Sequence, residues 1–272
     1  MGANAETPVL DKGFVRLVDA MGDDRRIVQA ARVSYGEGTK TVREDAALID
    51  YLMRHRHTSP FEMVEFTFHV KAPIFVVRQW FRHRTASVNE ISARYSVLKD
   101  EFYEPAPEEL RAQSEINKQA GEGRLPAAEA ERAAELLTAA GRDVYARYRE
   151  LLELGLAREQ ARSVLPVGIY TEFYWKQDLH NLLHFLKLRL DRHAQAEIRT
   201  YARAIAGFVQ ARVPLVWRSF EEHVLDARTL SASERAVLAE LLDRRAYADA
   251  LAQAGLSGSR VREALEKLFG AD

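Results

Sequence analysis

The chain has 272 residues, of which 47% are hydrophobic and 29% are charged, a composition typical of a globular protein with a buried core. Its formal net charge of −1 argues against a dedicated nucleic-acid binder, whose affinity depends largely on neutralising phosphates. The absence of cysteine excludes disulfides, thiolate metal ligands and a cysteine nucleophile. We find neither a membrane-spanning apolar run nor a signal-peptide pattern, so we expect a cytoplasmic protein.

The first part of the chain predicts one strand and two helices. A β-rich run covers residues 14–21, and Asp23 or Asp24 can cap a helix that continues to about Val33. Residues 41–54 predict a second helix. Its expected core face consists of Ala47, Leu48, Tyr51 and Leu52.

A polar junction follows, running from His55 to Glu62. Pro60 disfavours helix at Ser59, so the residues alone indicate a helix end and a surface turn. Residues 63–71 then alternate between apolar and polar side chains, which predicts a strand with one buried face. That face is expected to carry Phe66, Phe68 and Val70.

Residues 73–83 predict a helix that starts with Pro73 in its first turn and ends near His83. Its apolar side is expected to carry Ile74, Val76, Val77, Trp80 and Phe81, and its polar side Arg78, Gln79, Arg82 and His83.

Polar and cationic side chains continue beyond this helix. If residues 92–96 are extended, Ser92, Arg94 and Ser96 share one face. Guanidinium groups present forked donors that match phosphate or carboxylate oxygens. The residues alone leave two interpretations open: an anion-binding site, or a solvated basic helix end followed by a polar turn.

The middle of the chain alternates helical and extended patterns. Residues 114–120 predict a helical start and residues 126–154 a long helix. Residues 158–165 predict a short helix that carries Arg162, and residues 167–175 an aromatic, β-branched strand.

Residues 178–190 predict a helix with a leucine stripe. His180 and His184 lie on its opposite face with a spacing that can hold zinc, but Asn181 stands where a zinc hydrolase would have glutamate. Arg189 lies near the leucine side, where a guanidinium needs either a carboxylate partner or an anionic ligand. The stripe consists of Leu179, Leu182, Leu183, Leu186 and Leu190.

Two further helices, over residues 195–212 and 213–224, complete the first domain, which we place at residues 1–225. Residues 226–272 form a helical C-terminal extension without a catalytic signal. It predicts two small helices, the first starting at a capping box of Ser231 and Glu234 and ending at Gly255, and we expect a role in packing or assembly.

The sequence at the end of the 73–83 helix and just beyond it contains a specific motif. Arg82, His83 and Arg84, followed after seven residues by Ser92, resemble the signature of flavin-dependent thymidylate synthases. The resemblance extends over roughly residues 11–225. Asn89, Glu90, Arg94 and Tyr95 fit the same pattern.

This resemblance implies an α/β (α+β) fold, in which helices surround a twisted antiparallel sheet. It implies reductive methylation of dUMP to dTMP, with methylenetetrahydrofolate as carbon donor and NADPH-reduced FAD as hydride source. It also implies a homotetramer whose active sites are shared between subunits. A metal hydrolase built on the 178–190 helix and a nucleic-acid-binding module built on the arginines are the alternatives, and we expect neither a metal nor a nucleic-acid partner.

The resemblance also implies residue roles. Flavin contacts fall on His57, Ser59, Arg82, His83, Arg84, Glu90, Asp178, His180 and His184. The dUMP contacts fall on Gln79, Arg82, Glu90, Ser92, Arg94, Arg162 and Arg189, of which Arg189 is expected to be catalytic. Ser92 is expected to bind rather than attack, because a serine nucleophile needs an adjacent base. Residues 178–184 depart from the family pattern, which has amide and arginine side chains at several of these positions.

Overall fold

The fold is that of a computed structural model, which describes residues 5–33, 42–115 and 121–270. The chain forms two compact units, Met1–Leu225 and Asp226–Asp272. No helix within the described ranges has both the length and the apolar content needed to cross a lipid bilayer. The helical start predicted over 114–120 lies mostly outside the described residues.

An antiparallel five-stranded sheet forms the centre of the larger unit. The strands of this unit are β1 (Glu6–Val9), β2 (Gly13–Met21), β3 (Glu65–Pro73), β4 (Ser87–Glu90), β5 (Ala112–Gln113), β6 (Gly121–Glu122) and β7 (Tyr170–Asp178). The order in the main sheet is β1-β2-β3-β7-β4, and β5 pairs with β6 separately. This arrangement confirms the predicted α/β class with an antiparallel sheet flanked by helices.

Strand β3 carries the predicted buried face. Phe66, Phe68 and Val70 are fully buried, as their alternation indicates. The opposite face is not entirely solvated, because Lys71 is also buried and its ammonium lies 2.8 Å from a Glu101 carboxylate oxygen. Strand β7 begins at Tyr170 rather than at residue 167, since Tyr170 is the residue that pairs with Pro73 at the end of β3.

Eight helices surround this sheet in the described part of the larger unit. They are α1 (Asp24–Arg32), α2 (Val42–Arg54), α3 (Ile74–Trp80), α4 (Ala127–Glu153), α5 (Arg158–Ala161), α6 (Leu179–Arg189), α7 (Ala196–Arg212) and α8 (Pro214–Phe220). Short helical turns also lie between or after these elements, at Phe61–Met63, Pro107–Glu109, Arg162–Val164 and Glu221–Leu225.

Both aspartates predicted as helix caps are caps, but of different helices. Asp23 accepts hydrogen bonds from the backbone of α1, at Arg25 N and Arg26 N. Asp24 is buried and accepts from Leu215 N at 3.0 Å and Val216 N at 3.1 Å, in the first turn of α8. One short acidic pair therefore starts one helix and connects it to another.

The inward face of α2 differs from the prediction. Ile49 and Leu52 are buried, whereas Ala47 and Tyr51 are exposed. The Tyr51 ring instead lies against the His55 ring, with centroids 4.3 Å apart. The buried stripe of α2 therefore runs through Ile49 because α2 packs against α8 and α1.

Helix α3 is shorter than predicted. Pro73 precedes it as the N-cap, and the helix ends at Trp80 instead of near His83. The following N–H groups donate three residues back, Arg82 N to Gln79 O and His83 N to Trp80 O, so the chain tightens and leaves the helical path. Arg82 and His83 consequently lie on a turn beyond the helix.

Close packing surrounds Gly13 at the start of β2. A Cβ at this position would lie 2.1 Å from the Tyr201 hydroxyl oxygen and 2.7 Å from the backbone oxygens of Lys71 and Val9. The Tyr201 hydroxyl donates to the Lys71 oxygen at 2.7 Å, which joins α7 to β3 across this glycine.

The smaller unit contains three helices, α9 (Ala232–Leu241), α10 (Arg244–Gln253) and α11 (Gly258–Phe269), instead of the predicted two. The capping box of Ser231 and Glu234 is confirmed. The first predicted helix is interrupted because Asp243 caps a new one, accepting from Ala246 N at 2.7 Å. Gly255 follows α10 with φ +88°, as expected for a helix stop.

Candidate functional site

The C-terminal ends of α3 and α6 meet at four polar side chains, Gln79, His83, Arg189 and Gln195, which we call the arginine–amide cluster. Arg189 Nε donates to His83 Nε2 at 3.0 Å, and Arg189 Nη2 donates to the Gln79 backbone oxygen at 3.2 Å. The side-chain amide of Gln79 donates to the Gln195 side-chain oxygen. Two residues near the end of α3 thus hold the Arg189 guanidinium, and Gln195 joins the cluster through the Gln79 side chain.

His83 is a neutral imidazole in this cluster. Its Nε2 accepts from Arg189, so its proton resides on Nδ1. Burial, together with the nearby Arg189 and His184 side chains, lowers the pKa of His83 to about 4. His83 is therefore uncharged at neutral pH and can accept a hydrogen bond from the Arg189 cation without charge repulsion.

Arg189 carries an uncompensated charge within the described structure. It is half-buried, and burial lowers its pKa from the usual value, yet a guanidinium stays cationic at neutral pH. No carboxylate lies within ion-pair distance of it among the described residues, so this part of the chain supplies no carboxylate partner for Arg189. Its remaining N–H groups are available to an anionic ligand.

Helix α6 presents its histidines as predicted. Leu179, Leu182, Leu183 and Leu186 are buried, whereas His180 is partly exposed and His184 is exposed. The His83 ring lies 6.1 Å from the His184 ring and 4.9 Å from the Phe185 ring, between centroids. The face of α6 that carries the histidines is thus continuous with the arginine–amide cluster.

Asp178 has a structural partner. It caps α6 by accepting from Asn181 N at 3.0 Å and from the Asn181 side-chain amide at 2.7 Å. Within the ranges that the structure describes, no group of three or more histidine, aspartate and glutamate side chains is placed to hold a metal ion.

Beyond the turn with Arg82 and His83, the segment up to residue 96 forms strand β4 and then a second turn. Strand β4 pairs with β7, and Glu90 accepts from the Thr171 hydroxyl at 2.7 Å. Residues 92–96 are not extended, because Tyr95 N and Ser96 N both donate back to the Ser92 backbone oxygen, so the condition for a shared strand face is not met. We call residues 92–96 the polar turn.

The polar turn lies beside α5. Arg94 Nε is 3.5 Å from a Glu159 carboxylate oxygen, and Arg162 Nε donates to the Glu159 backbone oxygen at 3.4 Å. The Ser92 hydroxyl oxygen accepts from Arg94 N at 3.3 Å. This brings together Ser92, Arg94 and Arg162, three of the predicted dUMP residues. The Arg94–Glu159 pair is exposed and therefore weak, so a ligand can replace it.

The other predicted flavin residues lie on exposed turns. Arg82 and Arg84 are exposed, and neither guanidinium has a carboxylate partner among the described residues. His57 and Ser59 follow α2 and are also exposed; the His57 ring lies 5.8 Å from the Tyr51 ring. In the part of the chain that the structure describes, no hydrogen bond, ion pair or ring contact joins the turn with His57 and Ser59, the polar turn and the arginine–amide cluster to one another.

Gln195 is a site residue that the sequence does not reveal. It precedes α7 and is exposed, and nothing in the helical pattern distinguishes it from a solvated helix start. Only the tertiary structure brings it to Gln79, 116 positions away in the sequence. Thr171, the partner of Glu90, lies in an apolar strand and is likewise identified only by its contact.

Comparison with known proteins places these features in a family. The model of the thymidylate synthase complementing protein family matches residues 16–215. A flavin-dependent thymidylate synthase from Thermus thermophilus is 69% identical over 263 residues, 97% of this chain and 96% of the relative. One from Treponema denticola is 54% identical, covering 97% of both chains. The solved structure of a UMP/dUMP methylase PolB from Streptomyces cacaoi bound with 5-Br dUMP has a TM-score of 0.74 and 34% identity, covering 80% of this chain and 99% of that one.

Proposed function

Because this chain belongs to the flavin-dependent thymidylate synthase family, we propose that its arginine–amide cluster and polar turn bind dUMP and that Arg189 acts on the uracil ring. The reaction is the methylation of dUMP to dTMP with a flavin. One observation carries the assignment of Arg189: its guanidinium is half-buried and has no carboxylate partner among the described residues. Such a charge is suited to a ligand that is anionic or becomes so.

The residues present are suited to FAD. A flavin dinucleotide needs cationic donors for its diphosphate, and Arg82 and Arg84 are exposed with no carboxylate partner within the described ranges. His83, His180 and His184 add rings and ring nitrogens beside them. The other proposed flavin residues are His57, Ser59, Glu90 and Asp178. When bound, the flavin supplies the hydride, and the protein holds and orients it.

The polar turn supplies donors for the nucleotide phosphate. Arg94 and Arg162 meet at Glu159, and the Ser92 hydroxyl lies in the same turn. Forked guanidinium donors and a hydroxyl are typical of phosphate recognition. Gln79, Arg82 and Glu90 are the remaining proposed dUMP contacts, and Glu90 is oriented by Thr171.

Arg189 acts where charge develops. Methylation at a uracil carbon requires negative charge on the ring oxygens and N3 to be stabilised as it forms, and a fixed guanidinium can provide this. The neutral His83 and the Gln79 backbone oxygen hold that guanidinium in one orientation before the substrate arrives. An interaction that strengthens toward the transition state raises turnover as well as affinity.

We further propose NADPH as reductant, methylenetetrahydrofolate as carbon donor, a homotetramer with shared active sites, and the cytoplasm as the location. The tetramer accounts for the fact that no contact joins the three site regions among the described residues. A complete site is formed if copies of the chain contribute different regions. The domain that carries this activity is residues 1–225, and residues 226–272 are an extension.

The experiment is a comparison of Arg189→Ala with the unchanged protein in stopped-flow absorbance. We expect both proteins to purify yellow and both flavins to be bleached by NADPH. The variant should form dTMP at least about a hundredfold more slowly even at saturating dUMP, the usual cost of removing such a donor. Arg189→Lys should restore little, because an ammonium cannot reproduce the fork.

An exposed arginine on α4 provides the control. Arg149→Ala removes a guanidinium outside the proposed site and should change neither half-reaction. If raising dUMP restores near-normal dTMP formation in Arg189→Ala, then Arg189 only binds substrate. A colourless protein that does not take up added FAD would contradict the flavin assignment itself.

A further inference from the structure

A separate cavity of about 480 Å³ lies in the larger unit, within the size range of small-molecule pockets. Its walls come from the start of α7, from Tyr103 and from the segments on either side of the β5–β6 pair. None of the residues assigned above to flavin or dUMP lines it. It is therefore distinct from the proposed active site.

Four guanidinium groups line this cavity, those of Arg111, Arg124, Arg199 and Arg203. Three carboxylates, Glu108, Glu109 and Glu197, line it as well. Among the described residues none of these carboxylates forms an ion pair with any of the four arginines. The four arginines outnumber the three carboxylates, so the lining keeps an excess of positive charge.

Two of the carboxylates have other partners. Glu197 accepts from the Tyr103 hydroxyl at 3.4 Å, and Glu109 accepts from Ala106 N at 3.2 Å within its own helical turn. These bonds tie each carboxylate to a neighbouring group. Neither of these hydrogen bonds involves an arginine of the cavity lining.

Arg199 is held in place at the cavity wall. Its Nη1 donates to the Arg192 backbone oxygen at 2.6 Å and to the Ala194 oxygen at 3.4 Å. Burial and the neighbouring charges of Arg203 and Arg111 lower the pKa of Arg199, while the charges of Asp191 and Glu197 act in the opposite direction. Gathering like charges costs free energy, and an anion between them would recover it.

We propose that this cavity binds a small polyanion through Arg111, Arg124, Arg199 and Arg203. The shared chemistry is a cluster of phosphate or carboxylate oxygens, which forked guanidinium donors accept equally well. The ligand is thus either a phosphorylated metabolite or a polycarboxylate.

The test is isothermal titration of the full-length, flavin-loaded protein with two probes, pyrophosphate and citrate. We expect saturable binding of at least one probe, and the preferred probe distinguishes the phosphorylated from the polycarboxylate ligand. Arg203→Gln and Arg111→Gln should each weaken that binding about tenfold or more, the usual loss for one charge-assisted contact. Both side chains are exposed, so neither substitution disturbs the core.

Two further variants separate this site from other sources of binding. Arg149→Gln, at an exposed position of α4, should leave the affinity unchanged. Arg162→Gln removes a proposed contact to the dUMP phosphate and should also leave it unchanged.

The proposal is overturned if neither probe binds saturably. It is equally overturned if Arg162→Gln abolishes binding while Arg203→Gln and Arg111→Gln do not, since the anion then occupies the nucleotide site. Because the assay measures no turnover, either failure leaves the proposed methylation of dUMP untouched.

Discussion

Gln195 connects the side chain of Gln79 to the start of α7. The Gln79 amide donates to Gln195, while the Gln79 backbone oxygen accepts from Arg189. Gln195, for which we propose no substrate contact, therefore fixes the orientation of Gln79, which is a proposed dUMP contact. We regard Gln195 as a positioning residue.

Gln195→Leu removes the acceptor and should let the Gln79 amide rotate. We expect the KM for dUMP to rise about fivefold, the value of one hydrogen bond of about 1 kcal/mol, with little change in kcat. Gln195→Glu keeps an acceptor oxygen and should restore the KM. Gln29→Leu, an exposed position on α1, is the matched control. An equal fall in kcat and kcat/KM would show that Gln195 acts on the chemical step instead.

His83 makes the stability of the protein depend on pH. Its pKa is about 4 in the folded chain against an ordinary 6.5, so the unfolded chain binds the proton first as pH falls. Folding stability therefore decreases as pH falls from about 6.5 to about 4, and is fully retained above this range. His83→Gln, which can still accept from Arg189, should lose less stability over the same range.

Melting temperatures at pH 7 and pH 5 for both proteins measure this difference. The decrease on acidification should be larger for the unchanged protein than for His83→Gln. Parallel decreases would mean that His83 is protonated equally in the folded and unfolded chains.

The nature of the site residues could be predicted from the sequence, but not their contacts. Arg82, His83, Arg84 and Ser92 stand close together in the chain with a recognisable spacing. The bond from Arg189 to His83 spans 106 positions, and no local pattern encodes it. The sequence predicts an anionic partner for Arg189, but it does not show that the fold places the neutral imidazole of His83 against its guanidinium.

Among the helices, α8 depends on a side chain from α1. It has seven residues, too few to be stable alone, and Asp24 accepts from two N–H groups of its first turn. Burial raises the pKa of Asp24, while these two hydrogen bonds act in the opposite direction. Removing the carboxylate would leave both N–H groups without this acceptor.

Asp24→Ala should destabilise the fold by about 2 kcal/mol, because donors near the core lose a charged acceptor. For a chain of this size the melting temperature should decrease by roughly 4–8 °C. Asp23→Ala, in the adjacent residue, removes a cap near the surface and should cost only about 1 kcal/mol. Calorimetry of the two variants compares them directly, and equal losses would refute the special role of Asp24.

Strongly periodic elements were predictable and β4 was not. Strand β3 and helix α6 each have a buried face or stripe that the sequence shows. All four residues of β4 are exposed, so its sequence has no alternation, and only pairing with β7 makes it a strand. The conformation of the polar turn likewise depends on local backbone hydrogen bonds, which no pattern in its sequence shows.

In the chain as a whole, every residue proposed for flavin or dUMP lies in the unit Met1–Leu225. A chain that ends at Leu225 should therefore retain the yellow flavin and dTMP formation at a rate comparable to that of the full-length protein. As a control, a chain that ends at Arg212 also loses α8 and should fail to fold. Loss of flavin from the chain ending at Leu225 would show that the extension is required for the site.

The crowded position of Gly13 limits what genetics can report about this enzyme. In a selection for growth without added thymidine, replacements at Gly13 should be lost as consistently as replacements at Arg189. Gly13 contributes no functional group; any Cβ there would collide with the Tyr201 hydroxyl and two backbone oxygens. Intolerance to substitution therefore identifies both reactive and space-limited positions, and protein abundance in the failing strains distinguishes them.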